Sequence, residues 1–326
     1  MTTMDLSTNT NFWGCPPVAC SAVIRSVADS SGYPTRAADD LRRALAGALG
    51  VTADMVTTGC GSDDVLATAF RVLAQPGETL VAPVPTFTMV EPFATSAGLT
   101  FAGCAFSAGF SLDVDAMTAT GAAVAYLCSP NNPTGTTLDE SDIRRLLERF
   151  NGYTVLDEAY IDYGGRTSLS LVRDYERLLV VRTFSKAFGL AGLRVGYAVG
   201  APAVISRIEA ARGPYKVGVA AERAAVAVLG GEGRRWVDDH VLLARASRRR
   251  LQDELGNRGI AFVPSHANFV LVPVPDAAST ASLLAGRGLT VRQFPDLPGL
   301  GDAVRITVAS EPVMAAVAVA LGEALA

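Results

Sequence analysis

Residues 180–196 read V-V-R-T-F-S-K-A-F-G-L-A-G-L-R-V-G. The run begins in an apolar, largely β-branched segment at 178–181, which predicts a buried strand. It then breaks into Thr183-Phe184-Ser185-Lys186 and continues, small and glycine-rich, to Arg194. Basic charge in this chain comes almost wholly from arginine; the only lysines are Lys186 and Lys216. Arginine stays protonated and forms no Schiff base, whereas a desolvated lysine loses its proton and attacks a carbonyl. Lys186 therefore has two readings: a reactive amine, or an ordinary strand-end lysine reaching solvent.

Working outward, strands are predicted at 79–84, 100–104, 122–128, 153–156, 178–181 and 195–199. Helices are predicted at 37–49, 65–73, 86–96 and 143–150. Strands alternating with helices imply an α/β fold with a mainly parallel sheet covered on both faces. Ligands in such sheets lie at the carboxyl ends of the strands. Polar residues gather there at 129–135, 157–160 and 183–186. A long helical region at 220–255, interrupted by Gly230, Gly231 and Gly233, follows. Strands at 262–263, 268–272, 289–292 and 304–308 with helices at 279–285 and 312–325 then suggest a smaller α+β domain. Residues 6–17 read as an extended arm, in which Trp13 either staples the arm to the body or covers a pocket.

With 326 residues, about half of them apolar, the chain has material for a full core and a prior of two domains. A net charge of -4 recommends neither nucleic acid nor an anionic membrane as partner. Five scattered cysteines without a C-x-x-C pair, and two histidines, indicate reduced thiols, no metal site and a cytoplasmic location. The polar start, residues 1–10, has no signal-peptide pattern, and no apolar run is long enough to span a bilayer.

Three local patterns carry chemistry. Thr58-Gly59-Cys60-Gly61-Ser62-Asp63-Asp64 enters a helix; its free N–H groups suit a phosphate, or Ser62 or Asp63 simply caps the helix. Ser129-Pro130-Asn131-Asn132-Pro133-Thr134-Gly135 follows a buried strand as a turn. Asp157 ends another strand, where a carboxylate is costly to bury without a positive partner, and Tyr160 lies three residues on.

In order along residues 6–309, S-G-Y-P, G-C-G-S-D-D, P-T-F, S-P-N-N-P-T-G, V-L-D-E-A-Y, R-T-F-S-K-A-F-G-L-A-G-L-R-V-G and V-R-I-T-V resemble the fold-type I, pyridoxal phosphate-dependent aminotransferases, especially the histidinol-phosphate aminotransferase-like branch. The resemblance implies an aspartate aminotransferase-like fold: an arm (1–30) packing with the small domain, a large cofactor domain (31–220) built on a seven-stranded sheet, and a small domain (221–326). It implies transamination between an L-amino acid and a 2-oxo acid by a ping-pong cycle, with decarboxylation of an amino-acid phosphate as the alternative. Lys186 would hold pyridoxal 5′-phosphate covalently and then act as base. Asp157 would pair with the ring nitrogen, Asn132 and Tyr160 with the ring oxygen, and Phe87 would stack on the ring. Ser62, Asp63, Thr183, Ser185 and Arg194 would hold the phosphate, joined by Tyr33 of a partner subunit in a homodimer with shared sites. Arg305 would take the substrate carboxylate, while Trp13, Tyr215 and Arg292 would line the substrate side; Arg292 also reads as a strand-end surface arginine. The chain departs from the pattern at Thr10 and Phe12 in the arm, at Phe87, and at Lys216 and Gly218 near the substrate side.

Overall fold

The apolar runs that end in polar clusters become neighbouring strands. The computed structural model describes residues 3–325; Met1, Thr2 and Ala326, the outermost positions of the expected arm and small domain, lie outside the described residues. In chain order come β1 (Met4–Asp5), α1 (Pro17–Ser26), α2 (Asp39–Leu49), β2 (Val56–Cys60), α3 (Gly61–Leu73), β3 (Thr79–Val84), α4 (Val90–Ser96) and β4 (Thr100–Ala105). Next are α5 (Val114–Ala119), β5 (Val124–Cys128), α6 (Glu140–Arg149), β6 (Tyr153–Asp157), β7 (Leu178–Thr183), β8 (Val195–Gly200), α7 (Pro202–Ala210), α8 (Val219–Leu229) and α9 (Gly231–Asn257). The last are β9 (Phe269–Pro273), α10 (Ala277–Gly286), β10 (Leu289–Thr290), β11 (Arg292–Leu297), β12 (Gly301–Thr307) and α11 (Glu311–Leu325).

Seven strands form one sheet in the order β2-β8-β7-β6-β5-β3-β4. Strands β3 to β7 pair in parallel, and β8 runs against both its neighbours. Helices cover both faces, so the central strands are apolar on both sides. Ala125 and Leu127 of β5 pack into one cluster with α2, α6 and α8; Val124, Tyr126 and Cys128 pack into the other with α3 and α7. Each fully buried leucine or valine here contributes about 1.5–3 kcal/mol. A second, antiparallel sheet has the order β11-β12-β9. Helices α10, α11 and the end of α9 cover it. β1 runs parallel to β10, and Leu6 is buried in the same cluster, which ties the start of the chain to the smaller sheet.

Several elements differ from the sequence expectation. α1 forms within the arm, entered by Pro17 in its first turn, where a missing N–H costs nothing. β2 was unassigned; Thr57, Thr58 and Gly59 give it little apolar content, and pairing with β8 makes it a strand. α5 and α7 were unassigned. The helix expected from residue 86 begins at Val90. The region 220–255 breaks only at Gly230, whose backbone is extended; Gly231 and Gly233 lie within α9. A Cβ at Gly233 would sit 2.5 Å from Val228 Cα, so glycine there permits the close approach of α8 and α9. The expected strand at 262–263 is a single bridge, Val263 to Leu271. The expected strand at 289–292 divides between β10 and β11. Among the described residues no helix is long and apolar enough to cross a membrane.

Candidate active site

The register of the large sheet brings the chemistry together. Cys128 on β5 pairs with Asp157 on β6, and Asp157 pairs with Val181 on β7. Thr183 pairs with Gly196 on β8, and Val195 bridges to Gly61 at the start of α3. One cavity is lined by Ser62, Asp63, Phe87, Asn132, Asp157, Tyr160, Thr183, Ser185, Lys186 and Arg194. These are all the residues of this chain expected on its own cofactor; Cys128 and Ala159 complete the wall.

The N-cap residue of α3, Cys60, makes no side-chain cap; Asp64 Oδ2 accepts the Cys60 N–H at 2.9 Å, and neither Ser62 nor Asp63 plays the capping role. Asp63 instead accepts from Arg194 Nη2 at 3.0 Å, and Arg194 Nη1 donates to Ser185 Oγ at 3.4 Å. Thr183 Oγ1 accepts the Ser185 N–H at 3.1 Å, which orients the loop leading to Lys186. Free helix N–H groups, a hydroxyl and a guanidinium thus surround one space, an arrangement suited to a phosphate. The backbone is tight there. Gly61 has φ +81°, and a Cβ on Gly196 would lie 2.3 Å from Ser62 N.

Asp157 is 4% exposed. Its Oδ2 accepts from Tyr126 Oη at 3.0 Å and its Oδ1 from Ala159 N at 2.9 Å. Burial nevertheless raises its pKa to about 6, the two donors working against the shift. Among the described residues no basic side chain forms an ion pair with it. Lys186 leaves part of its surface open to the cavity. Burial, followed by the charge of Arg305, lowers its pKa to about 8. Its Nζ lies 3.4 Å from Asn9 O and 5.6 Å from the Tyr160 ring centroid.

An adjoining cavity is lined by Lys186, Tyr160, Asn132, Phe87, Arg305, Arg292, Phe294, Thr88 and, from the arm, Ser7, Thr8 and Asn9. Arg305 is buried, donating to Asn132 Oδ1 through Nη1 and to Ser7 O through Nη2 at 2.7 Å. Its Nε is buried without a hydrogen-bond partner. Arg292 is its Cα partner across β11 and β12 and is exposed.

Other expected substrate residues lie elsewhere. Trp13 lines neither cavity; half-buried, it packs against one cluster of the large sheet and against that of the smaller sheet, which is the staple role. Tyr215 also lines neither cavity. Its ring stacks on Tyr33 at 4.9 Å, both rings exposed, because an unusual φ of +63° turns Tyr215 outward. Lys216 is held by Glu209 Oε2 at 2.6 Å, away from both cavities. Sequence reasoning missed Asn9 and Tyr126, both wired to the site. Tyr126 was a polar residue inside an otherwise apolar strand, and Asn9 stood in an arm rich in turn formers.

The family model for aminotransferase class I and II matches residues 2–321. This chain belongs to the class I and II aminotransferases. The aminotransferase is 34% identical to the histidinol-phosphate aminotransferase of Caldanaerobacter subterraneus subsp. tengcongensis, over 85% of this chain and 80% of the relative. It is 36% identical to histidinol-phosphate aminotransferase 2 of Rhizobium meliloti, over 99% of this chain and 93% of the relative. The crystal structure of histidinol-phosphate aminotransferase from Sinorhizobium meliloti in complex with pyridoxal-5′-phosphate matches with a TM-score of 0.90 and 25% identity, over 99% of this chain and 91% of that one. The enzyme is thus a fold-type I, pyridoxal 5′-phosphate-dependent aminotransferase exchanging amino groups between amino and 2-oxo acids. Nothing in these relatives supports the decarboxylase alternative.

The residues fit that cofactor. The uncapped start of α3 and Arg194 match its phosphate. The buried, unpaired Asp157 matches a cationic ring nitrogen, and the low-pKa Lys186 matches its aldehyde.

Proposed function

We propose that the enzyme takes the amino group of a donor docked by its anionic group at Arg305 and passes it to a 2-oxo acid in a ping-pong cycle. Candidate donors are histidinol phosphate, named in its relatives, an aromatic L-amino acid and a specialised L-amino acid. The observation that carries this reading is the pair Arg305 and Arg292 in one cavity with Lys186 and Tyr160.

When bound, pyridoxal 5′-phosphate supplies an aldehyde for the Lys186 amine and a ring that draws electron density from the donor's amine-bearing carbon. Asp157 would pair with the ring nitrogen and keep a proton there. Asn132, its Oδ1 engaged by Arg305, has its amide N–H groups left to donate and would pair, with Tyr160, with the ring oxygen. Phe87, on the cavity wall, would stack on the ring. Ser62, Asp63, Thr183, Ser185 and Arg194 surround the phosphate. Lys186 Nζ, its pKa lowered by burial to about 8, would take up the donor's proton and hand it on to the adjacent carbon.

The test is an absorbance scan of the loaded enzyme during addition of histidinol phosphate and a panel of amino acids. Conversion of the cofactor from its aldehyde to its amine form by one donor class supports the reading. A donor that is consumed with release of carbon dioxide, without that conversion, refutes it.

We also propose a cytoplasmic homodimer in which Tyr33 reaches the partner's phosphate. Tyr33 is 86% exposed and lines neither of the two cavities around Lys186, and Ile24 and Val27 are exposed nearby in sequence. Light scattering reads the mass, and Tyr33→Ala should weaken cofactor retention without loosening the fold. The division proposed is an arm over 1–30, a cofactor domain over 31–220 and a small domain over 221–326, with α9 bridging the last two. α8 itself packs in the cluster of the large sheet.

A further inference from the structure

Asn9 lies where the arm crosses the site. It is 2% exposed and has φ +56°, a left-handed conformation that asparagine tolerates better than most side chains. Its hydrogen bonds have a fixed direction. The Asn9 N–H donates to Thr307 Oγ1 at 2.9 Å, which leaves the threonine proton for Asn9 Oδ1 at 3.3 Å. Nδ2 is thereby turned toward Tyr160 Oη, to which it donates at 2.9 Å. The phenol accepts on the arm side, so its own proton points away from the arm. The Asn9 carbonyl accepts from Asn268 Nδ2 at 3.1 Å and faces Lys186 Nζ at 3.4 Å.

We propose that Asn9 is a positioning residue for amino transfer, holding Tyr160 as a hydrogen-bond donor toward the cofactor's ring oxygen and tying that polarity to β12 through Thr307. The inference rests on the placement of Tyr160 given under the proposed function. Donation to that oxygen stabilises its negative charge. Losing the donor raises the pH midpoint at which the bound cofactor changes its absorbance. The titratable groups facing the phenol are Arg305 from β12, Asp157 from β6, Cys128 from β5 and Lys186 after β7. None is altered in the Asn9 variants.

Three variants test this by absorbance titration of the cofactor-loaded enzyme, with cofactor affinity measured alongside. In Asn9→Asp the new carboxylate only accepts, so the phenol turns its proton to the arm. Asn9→Gly keeps the left-handed backbone and the carbonyl facing Lys186 and removes only the amide, without adding charge. Tyr160→Phe deletes the donor. The expected result is a rise of about one pH unit in Asn9→Asp, in the direction of Tyr160→Phe, and a smaller rise in Asn9→Gly. If Asn9→Asp does not fold, Asn9→Gly decides alone. A shift in Tyr160→Phe with none in Asn9→Gly reduces Asn9 to a tether and overturns the proposal. No shift in Tyr160→Phe refutes the placement of Tyr160 itself, and the proposal with it.

Discussion

Tyr126 Oη donates to Asp157 Oδ2 at 3.0 Å, joining the middle of β5 to the last residue of β6. Burial raises the Asp157 carboxyl from 3.8 to about 6, and this donor restrains the rise. Tyr126→Phe therefore lifts it by about one further unit. A carboxyl whose folded pKa exceeds its unfolded value stabilises the fold at low pH and loses that contribution as pH rises through the folded pKa. In the cofactor-free protein this loss should end near pH 6. In Tyr126→Phe it should run on to about pH 7, and in Asp157→Asn it should vanish. Urea unfolding between pH 4 and pH 8 reads the three profiles. Superimposable curves for the parent and Tyr126→Phe would separate the hydroxyl from the carboxyl's titration.

Lys186 gives the opposite window. Its folded pKa, about 8, lies below the ordinary 10.5, so the unfolded chain binds more protons between those values. Stability of the cofactor-free protein should rise across that interval by about 3 kcal/mol from this residue. Lys186→Met should be more stable than the parent at pH 7, and its advantage should shrink steadily as pH approaches 10.5. A constant difference between the two proteins over that range would mean that the lysine titrates as in water.

Much of this arrangement was legible in sequence because parallel strands leave short-range marks. Apolar runs ending in Ser129, Asp157 and Thr183 predicted both the strands and the side of the sheet where the ligand sits, and β5, β6 and β7 place those ends together. Less legible was whatever depends on contact between distant segments. Asn9 and Thr307 are nearly the whole chain apart, and no local periodicity announces their hydrogen bond. Tyr126 occupies a position where burial, not polarity, was the visible signal. Trp13 and Tyr215 looked like substrate residues because the arm and the 213–218 loop lie near the site in the resembling family. Here packing beneath the arm holds one, and a left-handed backbone with a tyrosine stack holds the other.

The proposed phosphate cradle depends on a glycine with no side chain to offer a ligand. A Cβ on Gly196 would meet Ser62 N at 2.3 Å and Gly61 C at 2.5 Å, both backbone atoms that give way only if the start of α3 moves. Gly196→Ala should displace those N–H donors from the cavity. Cofactor affinity is expected to fall by at least about tenfold, the equivalent of one charge-assisted hydrogen bond. Phosphate-free pyridoxal uses Lys186 but not the cradle, so its affinity should change much less. Equal losses for the two aldehydes would assign the effect to general loosening of β8.

Arg292 and Arg305 face each other across β11 and β12, and both line the cavity beside Lys186. Like charges directly opposite on one sheet face repel, so the pair is best satisfied by anionic groups lying between or beneath them. Arg305 is anchored by Ser7 and Asn132, whereas exposed Arg292 has no ion-pair partner among the described residues. Arg305 therefore suits the donor group nearest the reacting carbon, and Arg292 suits a second anion farther along. Arg292→Leu should raise KM about ten- to a hundredfold for a donor carrying such a second anion, with kcat little changed. An aromatic donor without it should keep its KM. Arg305→Leu should impair both donors. If Arg292→Leu weakens both donors equally, Arg292 acts on the cavity's overall field, and the donor's second group is read elsewhere.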